Sequence, residues 1–254
     1  TQAVTGGFTH GSGGAASLTL SADAQFEGNV TINDNESSVA LGDNDFTVEN
    51  ANLTKKGTNN DVSYTGGEGA FVLSETDNTS NDLDLKGGSI PNVEAVDNTA
   101  SGTTPADLTL ESNLNVDGDV LAANTIAGSG NLTFGGEATL EAATAFGSTG
   151  SLTASGGDAS IDVDRSSSGT SVTTLVVDAG SGNAVSVTTG IDEDGPGTND
   201  ITVNTGFSLQ SGTFDHGDAN VNVSGNGDFE FASDASSIDA NEGAYFKLNS
   251  TSLT

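Results

Sequence analysis

The sequence predicts an all-β protein, with a parallel β-solenoid favoured and an antiparallel jelly-roll or other β-sandwich as the alternative. Three observations carry this prediction. Apolar and polar residues alternate in short runs from end to end, as in Leu108-Thr109-Leu110, Val221-Asn222-Val223 and Phe229-Glu230-Phe231. A period of two puts one face of each strand in a core. No stretch keeps a helical period; the best candidate, 138–145, carries Thr139 and Thr144 and is followed by Gly147. The chain also repeats itself. Residues 18–30 align without gaps to 108–120, with Glu27-Gly28 over Asp117-Gly118, and repeated short strands point to stacked units.

The strands are expected in order at 18–20, 26–32, 46–48, 62–64, 70–73 and 83–85, then at 108–110, 114–116, 132–134, 138–140 and 161–163. The last third adds 172–177, 185–187, 201–203, 207–209, 221–223, 229–231 and 245–248. Most are three to five residues long and carry outward Thr, Asn, Ser, Asp or Glu. In a solenoid, Glu27-Gly28 and Asp117-Gly118 are corners. In a sandwich they are hairpin turns, for which acidic-Gly pairs between alternating strands are a strong local signal. Three stretches read as long turns: 50–61, with Lys55, Lys56 and several Asn; 97–107, with Pro105; and 191–200, with Gly195-Pro196-Gly197. The chain is expected to form one elongated domain, 1–254, with a possible internal division near 97–107.

Composition narrows the architecture and excludes several functions. Hydrophobic residues make up 33% of the 254 positions, which suits a narrow core lined by single Val, Leu, Ile and Phe side chains. Acidic residues number 36 against five basic ones, for a net charge of −31. That field repels nucleic acid, whose binding needs clustered Lys and Arg, and it repels anionic membrane surfaces. No apolar run is long enough to insert in a membrane as a helix. The absence of Cys rules out disulfides, thiolate nucleophiles and Cys-ligated metals. The chain also lacks Met, which suggests a processed chain that has lost a leader during export.

Candidate sites are acidic. Asp192-Glu193-Asp194-Gly195, with Asp200 beyond it, alternates oxygen ligands ahead of a glycine turn, as a hard cation such as Ca2+ requires. Asp192, Asp194 and Asp200 are therefore the expected metal ligands, with calcium as the only expected cofactor. Asp43/Asp45, Asp117/Asp119 and Asp158/Asp162/Asp164 are weaker candidates, because alternate carboxylates on a strand share a face. Asp215-His216 near Ser211 raises a hydrolytic triad, but no nucleophile-elbow context surrounds it. No Trp and a single Arg, Arg165, argue against a sugar-cleaving groove. The chain is expected not to be an enzyme.

Ile126-Ala127-Gly128-Ser129-Gly130-Asn131-Leu132-Thr133-Phe134-Gly135-Gly136 resembles the repeats of secreted bacterial β-solenoid adhesins and autotransporter passengers. Phe26-Glu27-Gly28-Asn29-Val30-Thr31-Ile32 does so too, and is also similar to repeats in phage tail fibres. The resemblance implies a fibrous, surface-exposed structural or adhesive role and carries over no functional residue. Together these readings predict a secreted or cell-surface structural subunit. Its partners are copies of itself, joined through β-edges or terminal strands within 1–9 and 245–254 into a filament, sheath or surface layer. The alternative is an adhesin or phage-fibre module that contacts a host surface or glycan.

Overall fold

Alternation at period two, broken every few residues by Gly, Asn or Asp, yields short straight strands joined by corners. In the computed structural model these strands wind into a parallel β-solenoid. The structure describes residues 2–11, 16–33, 38–56, 63–66, 68–76, 81–85, 89–97, 106–110, 113–122, 125–141, 150–164, 170–189, 201–224 and 229–249. Every strand pair among them is parallel, whether near the start (Ala24 beside Phe46) or near the end (Asn222 beside Lys247). Strands adjacent in sequence do not pair as hairpins. The sandwich alternative is thereby overturned, and Glu27-Gly28 and Asp117-Gly118 are corners between faces.

Three faces alternate along the chain. The first begins with Gln2–Val4, Ala24–Phe26, Phe46–Glu49, Ala70–Glu75 and Asn92–Asp97. It continues through Val120–Ala122, Glu137–Glu141, Ser160–Asp164 and Ala184–Thr189. The second holds Phe8–His10, Val30–Asn33, Leu53–Lys56, Asn81–Leu85, Ala106–Leu110 and Ile126–Gly128 as a 6-stranded sheet. Near the C-terminus it stacks residues 170–172, 201–203 and 221–223 under Phe246–Leu248. The third runs from Ser17–Thr19 through Ser38–Gly42 and Ser63–Gly66, and later through Leu114–Val116, Leu132–Phe134 and Ser151–Ser155.

One rung consumes a variable length of chain. Partners one rung apart are 18 residues apart at Asn113 and Asn131, 22 at Asp23 and Asp45, and 33 at Asp178 and Ser211. The strands stay parallel across these different lengths, with register shifts at Val172/Thr174 and Val177/Asp178. The self-similarity of 18–30 and 108–120 takes a specific meaning here. Leu18 lies on the third face and Leu108 on the second, while Val30 lies on the second and Val120 on the first. The repeat unit is thus strand-corner-strand, and it recurs shifted by one face.

The core is a single narrow column. Phe46, Phe71, Phe134, Phe207 and Phe214 are its largest fully buried side chains, among many Leu, Val and Ile. Full burial of each such side chain is worth about 1.5–3 kcal/mol against exposure, which offsets the cost of ordering so many short strands. Aromatic rings stack along the axis: Phe26 lies 4.6 Å from Phe46 and Phe207 5.5 Å from Phe229, centroid to centroid.

The stretch 50–61, expected to be a loop, contains strand Leu53–Lys56, whose Leu53 is fully buried. Residues 98–105 lie outside the described residues. Ladders nevertheless join the chain on either side of them, as Leu83 beside Leu108 and Val93 beside Val120.

Candidate functional site

At several corners a backbone N–H beside the start of a strand faces the rung before and needs an acceptor there. Asn and Asp are placed where their short side chains can supply one. Asp23 Oδ1 accepts from Asp45 N, and Asp45 Oδ1 accepts in turn from Ala70 N at 3.1 Å. Asn92 Oδ1 accepts from Asp119 N at 2.8 Å, and Asp119 Oδ1 from Glu137 N at 2.7 Å. Asn113, Asn131 and Ser151 form a third such chain. In all of these the earlier rung offers oxygen and the later rung offers N–H. The side-chain amides keep the same sense: Asn92 Nδ2 donates back to Glu68 O at 2.9 Å, and Asn33 Nδ2 to His10 O. These Asn and Asp contacts share one sense, whereas the backbone bonds at the corners run both ways, as Ala24 N to Asp45 O and Glu27 N to Val4 O.

Close stacking of corners also dictates glycine. A Cβ on Gly28 would fall 2.6 Å from Gly6 O, and one on Gly128 would lie 2.6 Å from the Leu110 carbonyl carbon. Gly128 in addition has φ of +100°, a conformation costly for any side chain.

The acidic pairs singled out by sequence divide under this geometry. Asp45 and Asp119 act as corner acceptors, and Asp43 Oδ1 accepts weakly from Glu68 N at 3.4 Å. Asp192, Asp194 and Asp200 lie outside the described residues, as does the side chain of Asp164. Among the described residues no group of three or more His, Asp or Glu side chains is placed to hold a metal ion. Glu94, between these corners, has its carboxyl pushed above the usual range by partial burial and by the negative charges of Asp45 and Asp119.

Ser211, Asp215 and His216 do not assemble as a triad. Ser211 Oγ donates to Asp178 Oδ1 and accepts from Gly180 N. The His216 ring is buried, with Nδ1 2.8 Å from Ala219 O and its faces near Phe214 and Phe246.

The ends of the coil differ from its flanks. The large hydrophobic side chains that remain exposed among the described residues are Val4, Phe231 and Leu248, at 40%, 43% and 36% of full exposure. Val4 continues the column of Phe26 and Val48 on the first rung. Phe231 continues that of Leu209, and Leu248 that of Val223, on the last. Each lies where no further described rung covers it. The terminal segments expected from sequence, 1–9 and 245–254, include Val4 and Leu248 but not Phe231, because nothing local marks a rung as terminal.

One concavity lies on the flank, on the third face. It has a volume of about 290 Å³ and is lined by Asn113, Leu114, Asn115, Asn131, Thr133, Ser151 and Thr153, with no carboxylate among them.

No protein-family model matches this chain, and no curated protein or solved structure is detectably similar to it.

Proposed function

We propose that this chain is a structural subunit that self-assembles through the open ends of its solenoid into an extracellular filament, sheath or surface layer. One observation carries the reading: among the described residues the exposed large apolar side chains, Val4, Phe231 and Leu248, all lie on terminal rungs. An uncovered rung presents both apolar surface and a row of unpaired backbone groups, and both are satisfied by another strand. Assembly from outside the cell fits the acidic, Cys-free composition, and the role requires no catalytic group.

The net charge of −31 opposes the approach of copies at low salt. Screening shortens the range of that repulsion to ~3 Å at 1 M salt, so assembly is expected to need salt or a divalent cation. Analytical ultracentrifugation across a salt series tests the reading. Growth in mass with salt supports it; a monomer in both high salt and millimolar calcium overturns it.

A second reading is a flank-binding module for a host glycan. The uncharged concavity around Asn115, Thr133 and Thr153 favours it, because hydroxyls and amides suit a neutral sugar. Removal of residues 1–9 separates the two: glycan binding would survive it, and assembly would not.

A further inference from the structure

We infer that copies join head to tail, the first rung of one seated on the last rung of the next, so that the assembly is polar and open-ended. This rests on the self-assembly reading and specifies its geometry.

Charge distribution is the first argument. Residues 1–20 contain no Asp, Glu, Lys or Arg in a chain with 36 acids. This is the stretch that builds the first rung, from Gln2–Val4, Phe8–His10 and Ser17–Thr19. The last rung is the opposite. Glu230, Asp234, Asp239 and Glu242 are all exposed there, against a single Lys247. Two last rungs brought together would set these carboxylates against each other, and like charges at a junction are costly. An uncharged first rung removes that repulsion.

Strand placement is the second. All three faces present a strand at both ends. Gln2–Val4, Phe8–His10 and Ser17–Thr19 meet no described strand below them, and residues 237–239, Phe246–Leu248 and 229–231 carry no described strand above them. Head-to-tail stacking continues each parallel ladder in its own direction. It is also the sense of the Asn and Asp corner contacts, in which the earlier rung supplies the side-chain oxygen and the later rung the N–H. A last rung therefore meets a first rung as any rung meets its successor. Such a contact uses two different surfaces and does not close on itself, so repetition yields a filament.

The absence of Cys makes a crosslinking test clean. Thr9 and Lys247 are the exposed central residues of the first and last strands of the second face. Across a head-to-tail junction their Cα atoms would sit about one strand spacing apart, ~4.8 Å, within disulfide reach. The variants are Thr9→Cys, Lys247→Cys and the double substitution, each oxidised under assembling salt with light scattering followed in parallel. The expected result is a ladder of disulfide-linked multimers from the double variant, and monomers from each single variant on a non-reducing gel. Efficient dimers from either single variant would overturn the polarity while leaving assembly intact. Assembly by scattering with no crosslink in any variant would do the same. An absence of assembly by scattering would overturn the underlying reading as well.

Discussion

The backbone N–H of Glu137 donates to Asp119 Oδ1 at 2.7 Å, across one turn of the solenoid and 18 residues of sequence. Part of the acidic composition is therefore structural: the carboxylate replaces a backbone acceptor that the corner lacks. Asp119→Ala is expected to lower stability by about 1 kcal/mol, below the ~1.5–3 kcal/mol of a charged hydrogen bond because Asp119 is exposed. Asp119→Asn keeps an oxygen in place and should recover most of the loss. Urea denaturation of the three proteins checks both.

Gly128 and Gly156 have nearly the same φ, +100° and +103°. They differ in what surrounds them. A Cβ on Gly156 would meet nothing within 4 Å, whereas one on Gly128 would strike the Leu110 carbonyl of the rung before. Gly156→Ala is expected to cost about 1–2 kcal/mol, the penalty of the left-handed conformation alone. Gly128→Ala should cost clearly more, and the difference measures how tightly the corners stack. Equal losses in thermal melts would show that the corner backbone yields readily.

Glu94 provides a pH signature. Burial first, then Asp45 and Asp119, raise its folded pKa above the unfolded value. The folded state thus holds the proton more tightly, and stability falls as pH rises from the unfolded pKa through the folded one. Glu94→Gln removes this component. The variant is expected to be more stable than the parent near pH 7, by up to about 0.5 kcal/mol for a partly solvated group, and to match it near pH 4. Denaturation curves at the two pH values give the comparison.

Thr170 is buried at 2% exposure, and its Oγ1 finds no hydrogen-bond partner among the described residues. It borders a void lined by Leu140, Leu152, Ile161 and Val172. Thr170→Val keeps the shape and removes the unsatisfied hydroxyl. It should raise stability by about 1 kcal/mol; a loss of that size in urea denaturation would mean that the hydroxyl is bonded in solution.

Much of the strand pattern was legible in the sequence because inward Val, Leu, Ile and Phe alternate with outward polar residues. Leu114–Val116, Leu132–Phe134 and Val221–Val223 have the bounds that alternation predicts. Gln2–Val4, Val120–Ala122 and Ser151–Ser155 carry too weak a period to be read as strands, because they are short or rich in Ala or Ser. Leu53–Lys56 was hidden by Lys55-Lys56 beside an Asn-rich run. The roles of the corner residues were not legible at all. Asn92 holds Asp119 27 residues away, while Asp119 holds Glu137 18 away. No fixed spacing announces such pairs, so a carboxylate that accepts a backbone N–H reads in sequence like one that faces water.

The most direct test of the account is the mass of the protein in solution as salt is raised from about 0.01 M to about 1 M, where the screening length falls from ~30 Å to ~3 Å. The parent chain and a Phe231→Asp/Leu248→Asp variant are measured side by side, with thermal melts to confirm that both fold. The account predicts filaments from the parent at high salt and a folded monomer from the variant throughout. A parent that stays monomeric, or a variant that assembles equally well, would contradict assembly through the open ends.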